Sequence, residues 1–160
     1  MFLRPFRPAD KRNLQQLFYE TVHALNVRDY PPEYLNALAP EVPNRTLWAK
    51  LDAQTCFVVE YQKTVVGFAS LSEEAAVDFL FVHKDFQGRR IATTLLKQLE
   101  RVARKKGFTI LVVEASFSAS GFFEKLGFTV VSKTTKQANR VEIQNFKMEK
   151  AFPQPATNNT

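Results

Sequence analysis

The chain has 160 residues, 45% of them hydrophobic and 24% charged, which suits one globular domain with its own core and not a disordered chain. Its apolar runs, such as Phe79–Val82 and Ile110–Val113, fall far short of the roughly 20 residues of a membrane-spanning helix, Met1–Arg12 carries prolines and charges where a secretory leader would be apolar, and the single cysteine, Cys56, leaves no intrachain disulfide and no cysteine-based zinc knuckle, so the cytoplasm is the expected compartment. The net charge of +6 points to an anionic partner: a phosphate ligand, a nucleic acid or an acidic surface.

In chain order, Phe2–Arg7 alternates as an edge strand does. Asp10 can cap a helix whose Leu14, Leu17, Phe18, Val22 and Leu25 recur at helical spacing. Pro31 and Pro32 break it. A short helix begins at Pro32, and a third, capped by Asn44, carries Leu47, Trp48 and Leu51. The period then switches to two: Thr55–Tyr61 and Thr64–Leu71 are expected to form a hairpin around Gln62-Lys63, and Val77–Val82 a third strand. Arg90–Lys106 is the clearest helix, with an apolar stripe of Ile91, Leu95, Leu99, Val102 and Ala103 and a stop at Gly107. Thr109–Ala115 is apolar on both faces, as a buried strand should be. Ser118 can cap a short helix ending at Gly127, and Thr129–Lys133 with Arg140–Lys150 close the sheet as an antiparallel pair. Val141 and Ile143 are out of phase with Phe146 and Met148, which suggests a bulge in the last strand. The order is mixed α+β, one domain over residues 1–150, with 151–160 expected to be a disordered tail.

The charge is not spread evenly. Residues 84–106 hold eight basic and two acidic side chains, and the remainder of the chain balances to zero. This segment is the turn and helix after strand 77–82. A helix N-terminus offers about four free N–H groups and the positive end of its dipole. Gly88 leaves room for close approach, Arg89 and Arg90 add charge, and Thr93 and Thr94 add hydroxyls, which together make a pyrophosphate cradle. The plainer alternative is a glycine turn into a surface helix with a solvated basic face. Neither the Gly-Lys-Ser/Thr loop nor the three-glycine dinucleotide fingerprint is present.

Gln87-Gly-Arg-Arg-Ile-Ala resembles the acetyl-CoA pyrophosphate loop of the GNAT superfamily of N-acetyltransferases, which commonly reads Gln/Arg-Gly-x-Gly-x-Gly/Ala between an apolar strand, here Phe79-Leu-Phe-Val, and a long helix. Ala119-Ser-Gly-Phe-Phe-Glu-Lys-Leu-Gly-Phe is similar to the second signature, Ala-x-x-Phe-Tyr-x-x-x-Gly-Phe; the opening Leu3-Arg-Pro-Phe-Arg-Pro-Ala-Asp and the Val66-Gly-Phe hairpin also resemble the family. The likeness covers residues 2–150 and is strongest to small bacterial members. It implies an α/β/α arrangement: a mixed, mostly antiparallel twisted sheet of about six or seven strands around a central strand–loop–helix–strand unit.

Carried over residue by residue, the resemblance implies that backbone groups of Phe81 and Val82 pair with the pantetheine arm like an added strand. It further implies that the Gln87, Gly88, Arg89, Arg90, Ile91 and Ala92 backbone, with Thr93, holds the pyrophosphate. Ser116 takes the place of an asparagine that touches pantetheine, and Phe122 and Phe123 line the coenzyme's path. Two departures stand out. Arg90 replaces the usual middle glycine, so φ < 0 is expected there. Phe123 replaces a tyrosine that protonates the departing thiolate.

The chemistry implied is attack of a primary amine, on a small molecule or a peptide, on the thioester of acetyl-CoA as cosubstrate, within a ternary complex. Asp78, ionisable inside an otherwise apolar strand, is the first candidate base, the alternative being a solvated or ion-paired carboxylate. His83 is second, for its ordinary pKa near 6.5, and Glu114 third. Tyr30, Tyr34 and Trp48 fall where the family often lines its acceptor pocket; as isolated aromatics they also suit a core. No metal is expected, because neither His23 nor His83 has ligands at metal spacing. Cys56 reads as a buried apolar residue and not an acyl carrier. The competing readings are a non-catalytic acetyl-CoA-binding module and a nucleic-acid binder; the latter has only Phe86 for stacking in its basic segment. A monomer and a homodimer remain open.

Overall fold

The switch of hydrophobic period at Thr55 marks where helices give way to sheet. The computed structural model describes residues 1–40, 45–138 and 140–153. Its elements are β1 (Phe2–Pro5), α1 (Lys11–Leu25), α2 (Pro32–Leu38), α3 (Arg45–Ala53), β2 (Thr55–Tyr61), β3 (Thr64–Leu71), β4 (Ala76–Val82), α4 (Ile91–Lys105), β5 (Ile110–Ala115), α5 (Ser120–Lys125), β6 (Thr129–Ala138) and β7 (Val141–Ala151). The expected cap Asn44 and most of the expected tail, 154–160, lie outside the described residues.

Seven strands form one sheet in the order β1-β2-β3-β4-β5-β7-β6, antiparallel except where β4 meets β5. Gln62 and Lys63 both adopt positive φ, the tight-turn geometry that matches strand twist, although neither is glycine or asparagine. Each face of the sheet is covered. On one side α4 buries Ile91, Leu95, Leu96 and Leu99 with Phe123 and Phe128. On the other α1 buries Leu14, Leu17, Phe18 and Val22 against Phe68 and Phe79. This is the expected α/β/α layering. Gly67 sets the spacing of the first layer, since a Cβ there would stand 2.9 Å from Ile91 Cγ2.

Several local expectations change. Asp10 makes no cap to α1; its carboxylate instead takes both ends of the Arg4 guanidinium at 2.8 and 2.9 Å and the Arg7 N–H at 2.8 Å. Ser118 does not cap α5, because its hydroxyl donates to Asp29, and Ser116 Oγ accepts from the Ala119 N–H. β6 runs on from Lys133 to Ala138. The bulge falls at Val131 of β6, while β7 stays in register with β5 throughout. The phase change in β7 has another cause: Ile143 packs on the α1 side of the sheet and Met148 on the α4 side. At the C-terminal end, Ala151 pairs with Ile110 and Phe152 is buried under the Arg104 guanidinium, so packed structure continues past residue 150. No helix among the described residues is long and apolar enough to cross a membrane.

β1 is anchored by Arg4, which also donates to Glu60 at 3.0 Å. The Arg4 hydrogen bonds hold the Asp10 carboxyl below its usual range, against the opposing effect of burial. A depressed carboxyl contributes stability above its unfolded pKa of about 3.9, and that contribution is lost as pH falls through the folded value. Arg4→Met leaves a buried carboxylate unpaired and is expected to cost about 3 kcal/mol at pH 7. Urea unfolding at several pH values checks this: the deficit should shrink below about pH 4 as Asp10 protonates.

Candidate active site

β4 and β5 are paired only at Ala76↔Val112 and Val77↔Val113. Beyond that point β4 follows β3 to Val82, and β5 follows β7 to Ala115. The strands part, and a cavity of about 520 Å³ lies between them, walled by both strands and by α1, α2 and α5. A bulge sits where they part. Ser70 faces Phe79 and Leu71 faces Val77, so Asp78 is the extra residue, and it lines the cavity.

The parted strands leave backbone groups without a ladder. His83 N–H donates to Val66, which puts the hydrogen-bonding phase of odd-numbered β4 residues toward β3. Phe81 is therefore committed to β3, and the edge facing the gap belongs to Leu80 and Val82. This corrects the expectation for Phe81; Val82 faces the gap, and its carbonyl accepts from Gln87 Nε2 at 2.7 Å. The Phe81 ring itself lines the cavity.

At the mouth, Gly88 (φ 75) and Arg90 (φ 62) both take the left-handed conformation before α4 starts at Ile91. The expected φ < 0 at Arg90 does not hold. Arginine keeps the shape of the glycine it replaces, at a cost of about 1 kcal/mol. The loop is exposed, and a Cβ at Gly88 would meet nothing within 4 Å. Arg89 lies over the Phe86 ring, its guanidinium 4.8 Å from the centroid. Ala92 reaches the cavity, Ile91 turns its side chain into the core, Thr93 is half-buried, and the Thr94 hydroxyl is used up on the Arg90 carbonyl.

The opposite wall is polar. Glu114 pairs with Lys136 Nζ at 2.5 Å. Burial pushes the Glu114 carboxyl up, but hydrogen bonds from Lys136 and Thr134 outweigh it and hold the carboxyl below its usual range. Glu114 is thus a poor proton acceptor near neutrality. Tyr30 donates to Asn145 Oδ1 at 2.6 Å. Burial raises the pKa of both Tyr30 and Tyr34, so each keeps its proton, and Tyr30 uses its own to reach Asn145. The Thr21 hydroxyl, also in this wall, is buried with no partner among the described residues. Asp29 accepts from the Ser118 N–H and hydroxyl at 3.2 and 2.7 Å, tying the segment after α1 to the turn before α5.

Of the residues singled out from sequence, Asp78, Val82, Gln87, Ala92, Ser116, Phe122, Phe123, Tyr30, Tyr34 and Glu114 meet around one cavity. Phe123 is only 5% exposed and packs edge-on against Phe128. Trp48 does not line the cavity; it packs beside the α1 core. His83 is also outside it, with Nδ1 accepting from the Asp85 N–H and Nε2 3.7 Å from Glu20. Cys56 is buried elsewhere, and burial pushes its thiol up to about 12. Thr21, Lys136 and Asn145 were missed. Only Asn145 left a trace, as a polar residue on the apolar phase of β7.

The family model described as "Acetyltransferase (GNAT) domain" matches residues 26–151. The chain is 30% identical over 146 residues to the uncharacterized N-acetyltransferase YafP of Escherichia coli (strain K12), covering 91% of this chain and 93% of that protein. The structure of a GCN5-related N-acetyltransferase from Rhodopseudomonas palustris superposes with a TM-score of 0.89 at 34% identity, over 94% of this chain and 95% of that one. PaiA N-acetyltransferase from Thermoplasma acidophilum, in complex with coenzyme A, superposes at 0.78 with 20% identity, over 94% and 98%. The protein belongs to the GNAT acetyltransferase family.

The balance at Glu114 is testable. In Lys136→Met, burial is opposed only by the Thr134 hydrogen bond, because both effects of the lysine are gone. Carbon NMR titration of the Glu114 carboxyl should then place it above the ordinary value of about 4.3, where the parent lies below.

Proposed function

We propose that the protein transfers the acetyl group of acetyl-CoA to a primary amine by direct attack in a ternary complex. The observation that carries the reading is the parting of β4 from β5. It puts a free backbone edge, a helix N-terminus and a carboxylate around one cavity.

The pantetheine arm, with its amides, suits the edge of Leu80 and Val82, as a strand added to β4. The pyrophosphate suits the N–H groups from Gln87 to Ala92 at the start of α4, where the dipole and the two arginines favour negative charge. That Gly88 faces open space fits a ligand approaching there. Phe122, Phe123 and Ser116 form the opposite side of the path. In the Thermoplasma relative of the same fold, coenzyme A is the bound ligand.

The acceptor amine enters from the side of Tyr30, Tyr34 and Asp78. An ammonium cannot attack, so one proton must leave first, and Asp78 is the acceptor, directly or through one water. The amine nitrogen then bonds to the thioester carbon, the C–S bond breaks, the nitrogen gives its second proton to water, and coenzyme A departs as thiolate. No hydroxyl at position 123 protonates it. That absence is tolerable, because a thiol with a pKa of about 8.5 is a competent leaving group as thiolate and takes its proton from water. Holding the reactants in line supplies the larger share of the acceleration, about 7–11 kcal/mol in favourable cases.

Three outcomes follow. Gly88→Glu puts bulk and negative charge at the cradle and is expected to weaken acetyl-CoA binding at least tenfold by calorimetry, about 1.4 kcal/mol. Neutralising Arg101, Arg104, Lys105 and Lys106 should leave that affinity within about twofold, since they lie roughly 15 Å or more along α4 from its start, beyond the screening length; loss of salt-dependent nucleic-acid binding instead would favour the basic-binder reading. Asp78→Asn should lower kcat at pH 7 about 10²-fold and abolish the acidic limb of the kcat profile, whereas Phe123→Tyr should change kcat by no more than about twofold.

A further inference from the structure

Gln54 lies between α3 and β2, outside the coenzyme loop and outside the second signature. Its side-chain amide joins two groups. Nε2 donates to Asp78 Oδ2 at 2.7 Å, and Oε1 accepts from the Ser70 hydroxyl at 2.6 Å. Ser70 is fully buried and sits on β3 beside the bulge that holds Asp78. The orientation of the amide follows from chemistry. A carboxylate only accepts, so the nitrogen must face Asp78, and the serine is left to donate to the oxygen.

Asp78 needs such a support. As the extra residue of a bulge it has no ladder partner to fix its backbone. Lys50 Nζ, from α3, stands 3.9 Å from the same Oδ2. Both contacts therefore fall on one oxygen, and Oδ1 has no partner among the described residues. The other titratable groups lining the cavity beside Asp78 are Asp29 and Tyr30 from the segment before α2, Tyr34 from α2, Glu114 from β5 and Lys136 from β6; Glu114 and Lys136 are paired with each other.

Resting on the reading of Asp78 as the proton acceptor, we infer that Gln54, held by Ser70, is a positioning residue for the reaction: it pins Oδ2 and so presents Oδ1 to the amine. The proton passes from the amine nitrogen to Oδ1, and Gln54 exchanges none. A purely structural role, tying α3 to the sheet, would act on the fold and not through Asp78.

A double-mutant cycle separates these roles, using kcat with one competent amine at saturating acetyl-CoA. Gln54→Leu is expected to lower kcat about tenfold at pH 7 while leaving acetyl-CoA affinity within about twofold. In an Asp78→Asn background the same change should cost nothing further. Gln54→Glu, nearly isosteric, sets a second carboxylate against Asp78 and should move the acidic limb of the kcat profile up by about one pH unit or more. Additive losses, or an unmoved limb in Gln54→Glu, would overturn the positioning role and leave Asp78 in place. An unchanged kcat in Asp78→Asn would remove the proton-acceptor reading and this inference with it, a result distinct from the other two.

Discussion

The site depends on a pairing that stops. Two parallel strands side by side would ordinarily stay bonded along their shared length, because an unpaired buried N–H or C=O is costly. Here β4 and β5 share two residue pairs and then diverge. Each is secured on its other side, β4 by β3 and β5 by β7, so the sheet holds together while a gap opens in its middle. The gap exposes a strand edge inside the protein, between two packed layers, to which an amide-bearing ligand can be added as a strand. The bulge at Asp78 lies at the point of divergence and turns an ionisable side chain into the gap.

The layers on either side have different tasks. α4 is clamped to the sheet by close contact at Gly67 and by a fully buried row of leucines, which fixes its N-terminus at the mouth of the gap. The opposite wall of the cavity carries polar groups that are mostly committed to one another: Tyr30 to Asn145, Glu114 to Lys136, Asp29 to Ser118. Such prior commitment lowers the ordering cost of binding. It also shows why Glu114, which the sequence ranks among possible bases, is unsuited to that task, since its ion pair stabilises the ionised form.

Much of this architecture was legible beforehand, for identifiable reasons. The hairpin of β2 and β3, the strand β4 and the helix α4 announce themselves through period, glycine and charge, so the strand–loop–helix unit is readable from the sequence. What escaped depends on register and partner choice, which a local pattern does not encode. Asp10 had two possible partners, and Arg4 prevailed over the helix. The phase change in β7 signals a bulge or a change of covered face with equal force, and only the second helix layer decides. Arg90 was expected to abandon the glycine conformation; the fold holds it there. Phe81 against Leu80 is a question of alternation relative to β3, Lys136 and Thr21 reach the cavity from elements far apart in the chain, and Gln54 meets Asp78 from a turn 24 residues earlier.

The central claim is that the gap between β4 and β5 receives acetyl-CoA along the free edge and at the start of α4. Amide hydrogen exchange with and without acetyl-CoA tests it most directly, because it reads the backbone groups themselves. The account predicts that saturating acetyl-CoA slows exchange at Leu80, Val82 and the amides from Gln87 to Thr93, with Arg101–Lys106 unaffected. Unaltered exchange at Val82 and Gly88 under saturating ligand, or protection confined to the far end of α4, would contradict it.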